Sequence, residues 1–255
     1  MGALRHLQKN FSARELDPRM LGREDTTVYS NGAENLLNSA PMVQGGVRRR
    51  PGTDYLAALQ GTSRLERMQF NETQLYIFAF SNTRLDIFDE DGAAVTNLTG
   101  QPWSATTMWE MRLDTNGDTT IITHKDFAMK KLLRTGASTF TIADFAFEAH
   151  SSGYPRYHPF YKFADPAITI TPSATSGSGV TLTASADHWT SAHVGSIVRV
   201  GTTPKECDVT AYTSATVVEV TVRETLANTD ATVDWDENVF SAANGYARSV
   251  VFHQQ

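Results

Sequence analysis

The sequence contains little cysteine and no long apolar run. Cys207 is the only cysteine among 255 residues, which excludes an internal disulfide framework and any zinc site built from several cysteines. No apolar run approaches the roughly 18 residues that a membrane-crossing helix needs, and the N-terminus lacks the apolar core of a signal peptide. We therefore expect a chain without a membrane anchor that folds in a reducing cytoplasm.

The sequence also lacks the motifs of common enzymes. It has no G-x-S-x-G elbow, no Walker phosphate loop and no dinucleotide fingerprint. Asp114, Asn116 and Asp118 alternate as in a calcium loop, but Lys125 stands where the bidentate Glu is required, so we predict a hairpin turn there. We predict that the chain is not an enzyme and binds no cofactor.

Two histidines and an acidic segment are the remaining candidates for chemistry. His188 and His193 are five residues apart, whereas a zinc pair on a helix is spaced by four with a third ligand nearby, so we predict a bend capped by Asp187 and no bound metal. Asp234, Asp236 and Glu237 flank Trp235, and they are expected to lie in a solvated acidic turn. A catalytic pair would require two of these carboxylates to face each other across a substrate.

The composition indicates an ordinary globular protein with a negative net charge. The apolar fraction is 40%, the charged fraction is 20% and the net charge is −6. Because the whole chain is acidic, any contact with nucleic acid must come from a local basic patch.

Turn residues divide the chain into zones that are mainly β. "QLYIFAF" and "RLDIFD" predict a hairpin, whereas "VTLTAS" and "VEVTV" alternate with the period of half-buried strands. We predict an extended N-terminal arm with an arginine turn (1–60), an antiparallel meander or propeller-like β domain (61–165), an inserted small β-barrel or sandwich module (166–235) and a return segment (236–255).

The arginine turn is the densest basic patch. Residues 43–53, "VQGGVRRRPGT", place three consecutive arginines between a Gly-Gly pair and a Pro-Gly turn. We favour a role for Arg48, Arg49 and Arg50 in a subunit contact or in the turn itself, because guanidinium groups pair with carboxylates in a defined geometry. DNA binding and a solvated cluster without a special role are the alternatives.

Residues 11–53 resemble the start of a family of tail proteins from short-tailed phages and their prophages. The resemblance rests on an aromatic-Ser opening, a Gly-Arg-x-Asp, a Tyr-x-x-Gly and a closing Gly-Gly-x-x-Arg-Arg-Pro-Gly-Thr. The matching residues are Phe11, Ser12, Glu15, Leu16, Pro18, Gly22, Arg23, Asp25, Tyr29, Gly32, Asn35, Gly45, Gly46, Arg49, Arg50, Pro51, Gly52 and Thr53. Arg14 and Asp17 depart from the pattern, where the family usually has Gly and Ser.

Later segments are similar to the same family, including its inserted β-module. The resemblance implies the tail nozzle, or tail tubular protein B, which forms a ring below the neck through which the genome is ejected. It implies a ring, expected to be a hexamer, in the virion tail, with assembly in the host cytoplasm. Because the family's chain usually runs on for hundreds of residues, we expect a truncated product, a split gene or a short relative.

The implied partners are ring neighbours, a neck or adaptor protein above the ring, tail fibres or spikes, and genomic DNA in transit. The residues expected at subunit contacts are Phe11, Arg19, Arg23, Asp25, Tyr29, Arg48, Arg49, Arg50 and Pro51. Two other functions stay open. The β-module could bind carbohydrate or a host receptor through Trp189 and Trp235, or the chain could be a hydrolase of the cell wall or capsule.

Overall fold

The computed structural model describes residue 8, residues 10–53 and residues 55–253. The other residues of the predicted arm and return segment lie outside this range. The chain divides into two compact units, residues 1–55 and residues 56–255. Within the described residues, every helix is a single 3-10 turn of three residues and strands carry the architecture, which confirms the prediction of a mainly β protein.

The first unit consists of short elements joined by turns. Among the described residues its only sheets are a parallel pair of strands and an antiparallel hairpin. Two 3-10 turns lie between the two strands of the parallel pair. The elements are β1 (Arg14–Glu15), a 3-10 turn (Pro18–Met20), a second 3-10 turn (Tyr29–Asn31), β2 (Gly32–Ala33), β3 (Ser39–Pro41) and β4 (Val47–Arg49). Asp17 caps the first of these turns by accepting a hydrogen bond from the backbone of Arg19.

Residues 31–38, "NGAENLLN", contain no α-helix: Asn31 ends a 3-10 turn, and the rest lie in strand, turn or irregular structure. Gly32 and Ala33 form β2, which pairs with β1. A Cβ on Gly32 would come within 2.4 Å of the Leu16 side chain, so this glycine allows two backbones to pack closely around Leu16. Leu16 is the one buried apolar residue among the described residues of this unit.

Two four-stranded antiparallel sheets begin the second unit, and each has the up-and-down order of a propeller blade. The strands of the first sheet are β5 (Arg64–Asn71), β6 (Gln74–Ser81), β7 (Arg84–Asp89) and β8 (Ala94–Thr99). After a 3-10 turn (Thr107–Trp109), the strands of the second sheet are β9 (Arg112–Asn116), β10 (Thr119–His124), β11 (Phe127–Gly136) and β12 (Thr139–Asp144).

The two blades share one apolar core. Phe78, Phe80 and Trp103 from the first blade are buried in the same cluster as Ile122 and Leu132 from the second. Alternation explains the first contribution, because Phe78 and Phe80 are two residues apart on β6 and therefore lie on the same face. The predicted antiparallel meander is thus built as two blades packed on a common core.

A seven-stranded antiparallel sheet forms the module, in the order β13-β19-β16-β17-β18-β15-β14. The strands are β13 (Phe160–Tyr161), β14 (Ile170–Pro172), β15 (Gly177–Ala184), β16 (Ile197–Val200), β17 (Lys205–Ser214), β18 (Val217–Val222) and β19 (Trp235–Asn238), with a 3-10 turn (Ser191–His193) before β16. Within the described residues this sheet is not closed into a barrel, although Ile170 forms an isolated bridge with Thr232.

The sheet of the module extends beyond residues 166–235 on both sides. β13 pairs with β19, so residues 160–161, which precede the predicted module, and residues 237–238 of the return segment complete one edge of the sheet. The module has its own core, which includes the valines that alternate along β18 together with Trp189 and Trp235. Among the described residues, no helix has the length and apolar character that crossing a membrane requires.

Cys207 lies inside this core, and its thiol is expected to be unreactive. The residue is fully buried, and burial, reinforced by Asp208 and Glu206, raises the pKa of its thiol to about 12. Because the thiolate is the nucleophile, a thiol-specific disulfide reagent should react at least about 100-fold more slowly with the folded chain than with the chain in denaturant. Equal rates would show that Cys207 is accessible. Absorbance of the released thiol group measures both rates.

Candidate functional site

The arginine hairpin, defined as β3, β4 and the turn between them, presents the predicted arginines to solvent. Arg48 and Arg49 are exposed on β4, where they pair in register with Ala40 and Ser39. Within the described part of the chain, no carboxylate forms an ion pair with either guanidinium. The hairpin therefore offers unneutralised positive charge on a backbone fixed by strand pairing.

Arg50 has a local role at the end of the hairpin. Its backbone N–H donates to the carbonyl of Asn38 at 3.0 Å, and its Nε donates to Asn38 Oδ1 at 2.9 Å. Asn38 has a φ of 54°, in the left-handed region that asparagine adopts more readily than most residues. Arg50 thus closes the turn, whereas Arg48 and Arg49 are exposed and carry no such contact among the described residues.

The other predicted contact residues are distributed over the same unit. Arg23 and Asp25 form a two-bonded pair with each other, at 2.8 Å for both bonds, and both are exposed. Arg19 and Pro51 are also exposed, whereas Phe11 and Tyr29 are half-buried. The guanidinium of Arg23 is therefore already paired within its own chain.

Exposed apolar side chains accompany the arginines. Val43, in the turn between β3 and β4, is 96% exposed, and Leu37, just before β3, is 80% exposed. Met42, between them, is also largely exposed. Apolar groups flanked by cations are typical of a surface that another protein covers. The arginines of this surface were predicted from the sequence, whereas its apolar residues were not.

A second cluster lies in the module, where His188 and His193 meet Glu237. His188 Nε2 is 3.0 Å from Glu237 Oε1, and His193 Nε2 is 3.3 Å from Glu237 Oε2. Glu237 is completely buried, and its Oε2 also accepts a hydrogen bond from Asn244 Nδ2 at 3.3 Å. We call these three residues the His–Glu centre.

Local structure explains how the two histidines converge. His193 ends a 3-10 turn that is capped by Thr190 and not, as predicted, by Asp187. The backbone N–H of Thr190 donates to His193 Nδ1 at 3.0 Å, which leaves Nε2 facing Glu237. The bend brings His188 and His193 to the same carboxylate, although their spacing of five does not place them on one face of a helix.

The electrostatics of the His–Glu centre favour an ionised carboxylate. Burial alone would raise the pKa of Glu237, but the hydrogen bonds and charges of His188 and His193 outweigh it and lower this pKa to about 2. Apolar walls surround the centre, because the ring of His188 packs on Trp189 and Trp235 at 4.8 and 5.3 Å between ring centroids.

The acidic turn predicted around Trp235 is a buried strand. Trp235 and Glu237 are two residues apart on β19 and both point into the module, while Asp236 between them forms a two-bonded ion pair with Arg199. Sequence reasoning missed Glu237 as a partner of the histidines because it follows them by more than 40 residues. The available signal was that Glu237 is two residues from Trp235 in a β-rich segment, a spacing that places both side chains on the same face of a strand.

The tryptophans considered for sugar binding are buried, and two of the carboxylates considered for hydrolysis are paired. Trp189 and Trp235 are 1% and 4% exposed, so neither ring offers a face to a sugar. Asp236 is paired with Arg199 and Glu237 with the histidines. The segment resembling a calcium loop is the predicted hairpin turn between β9 and β10, with Gly117 at a φ of 55°.

Comparison with models of known protein families gave no match, and no curated protein matched the sequence at a significant level. The likeness of residues 11–53 to phage tail proteins therefore stays a prediction made from the sequence.

Proposed function

We propose that this chain is a structural protein of the tail of a short-tailed phage, where it forms a nozzle ring through which the genome is ejected. The observation that carries the proposal is the surface of the first unit, which combines the exposed arginine hairpin with exposed apolar side chains on a segment that resembles this family. A ring needs a contact of this kind, in which one surface of each subunit meets a different surface of the next.

The energetics of the first unit support a docked arm. Ordering one residue costs about 1–2 kcal/mol of backbone entropy, whereas burying one leucine contributes about 1.5–3 kcal/mol. Leu16 is the one buried apolar residue among the described residues of this unit. Its own core is therefore too small to offset the ordering of about 45 residues, and a neighbouring subunit would supply the missing apolar contact.

The charge of the chain supports passage of DNA rather than its retention. Each phosphate that a protein neutralises adds salt-dependent affinity, which would slow ejection. A net charge of −6 avoids such retention. In the proposal, Arg48 and Arg49 pair with carboxylates of a ring neighbour, a neck protein lies above the ring, and tail fibres or spikes attach outside it.

Reversing the charge of the hairpin is expected to prevent ring assembly. The double variant Arg48→Glu and Arg49→Glu places like charges against the neighbour's carboxylates and should abolish the ring while leaving the monomer folded, because both side chains are exposed. Sedimentation velocity and native mass spectrometry measure the oligomer, and circular dichroism measures the fold. A variant that assembles as the wild type does would contradict the role of the hairpin.

A matched control separates the hairpin from net charge. Arg67 and Arg112 are exposed arginines of the second unit, on β5 and β9. The variant Arg67→Glu and Arg112→Glu changes the net charge by the same amount and should still assemble. Loss of assembly in both double variants would point to a general charge effect and against a specific contact.

A further inference from the structure

We propose that the His–Glu centre of the module is a binding site for a divalent transition-metal cation of the Zn²⁺ class. This inference is independent of the proposed function, because it rests on the module and not on the first unit. Two imidazoles and one carboxylate are a ligand set that Zn²⁺ takes in proteins, with a further position left for water.

The three side chains lie close enough together to hold a single ion once their ligand atoms draw closer. One ligand atom from each of His188, His193 and Glu237 lies within 4.8 Å of the other two. With bonds of about 2.1 Å in tetrahedral geometry, ligand atoms lie about 3.4 Å apart. The two imidazole-to-carboxylate contacts, 3.0 and 3.3 Å, reach different oxygens of Glu237, Oε1 and Oε2, so the carboxylate would bind the ion through both oxygens or turn one of them toward it. Rotation of the His188 and His193 rings would bring the two nitrogens together around the ion.

Groups beside the ligands are placed to orient them. Asn244 Nδ2 donates to Glu237 Oε2 at 3.3 Å and restrains the carboxylate. Coordination through Nε2 of His193 requires the ring proton to be on Nδ1. Thr190 Oγ1, 3.0 Å from Nδ1, can accept a hydrogen bond from this N–H. The backbone N–H of Thr190, which donates to Nδ1 without the metal, would then lose that bond. Such bonds to the outer nitrogen are typical of metal-bound histidine.

Burial and access also suit an ion. The Glu237 side chain is fully buried and that of His193 is 6% exposed, so the ion would lie in a low-dielectric site that strengthens its bonds. The His188 side chain is 12% exposed and is the most accessible of the three ligands. A bound ion would tie the segment 188–193 to β19 and stabilise the module.

Titration of the full chain with Zn²⁺ after chelator treatment tests the site. We expect saturable binding of one Zn²⁺ per chain and a higher midpoint of thermal unfolding, with no response to Mg²⁺, which prefers oxygen ligands. Co²⁺ should give the visible absorption of a tetrahedral site and quench the fluorescence of Trp189 and Trp235, which pack on His188. Absence of saturable Zn²⁺ binding by the wild type would overturn the proposal without any variant.

Variants locate the ion. His188→Asn and Glu237→Gln each remove one ligand and should weaken Zn²⁺ binding by at least about 100-fold, whereas Asn244→Ala should weaken it by about 10–100-fold. His150→Asn removes an exposed histidine outside the centre and should bind as the wild type does. Undiminished binding in His188→Asn, which alters the least buried ligand and should fold, would overturn the assignment. Loss of binding in His150→Asn alone would also do so.

Discussion

Replacing Arg156 with alanine is expected to lower the free energy of unfolding by about 3 kcal/mol. Its Nε donates to Glu206 Oε2 at 2.7 Å, and its Nη2 donates to Asp208 Oδ1. Glu206 is fully buried, so the variant leaves a buried carboxylate with one oxygen unpaired. The cost arises mainly from that desolvated charge, because an ion pair itself contributes little once both partners are taken out of water. Urea denaturation measures it.

Two further variants test this explanation. Arg223 pairs with Asp208 from a more exposed position, so Arg223→Ala should cost less than about 1 kcal/mol. Adding Glu206→Gln to Arg156→Ala removes the unpaired charge and should restore part of the lost stability. If Arg156→Ala proved as mild as Arg223→Ala, or the second change gave no recovery, Arg156 would not be compensating a buried charge.

Replacing Trp103 with alanine is expected to lower the free energy of unfolding by about 3–5 kcal/mol. Trp103 is fully buried in the core shared by the two blades, where its ring packs edge-on against Phe80 at 5.4 Å. Its Nε1 donates to the carbonyl of Ser81 at 3.1 Å. The variant therefore loses a large apolar volume at the centre of the core and leaves this carbonyl without its partner. Guanidinium denaturation followed by circular dichroism measures the loss.

Trp103→Phe is the matched control for this variant. Phenylalanine keeps much of the ring packing but cannot donate to Ser81, so it should cost about 1–2 kcal/mol. A cost for Trp103→Ala no larger than that for Trp103→Phe would contradict the central position of this side chain in the core.

Local patterns predicted much of the fold. The hairpin of β6 and β7 follows from two apolar runs separated by "SNT", and β15 and β18 follow from strict alternation of Val, Leu and Ala with Thr, Ser and Glu. The lysines and leucines of β11 suit a helical turn as well as a strand, and pairing with both β10 and β12 makes this segment a strand. The short elements of the first unit lack periodicity, so the sequence could not define them.

The sites depend on contacts between residues that are distant in the sequence. The exposure of Arg48 and Arg49 could be predicted from the sequence, because consecutive arginines cannot all be buried. The pairing of Glu237 with His188 and His193 could not be predicted, because it follows from the position of β19 beside β16 in the module sheet. Arg156 was missed for the same reason, because Glu206 and Asp208 follow it by 50 and 52 residues. A single sequence shows how far apart residues are along the chain, but it does not show which distant residues are brought together by strand pairing.

The most direct test of the proposed function is imaging of intact phage particles by electron cryo-microscopy to locate this chain and count its copies. The proposal predicts a symmetric ring between the neck and the tail tip, with the arginine hairpin of each subunit at the contact with its neighbour. A chain found outside the tail, or a ring in which Arg48 and Arg49 face the DNA channel instead of a neighbouring subunit, would contradict it.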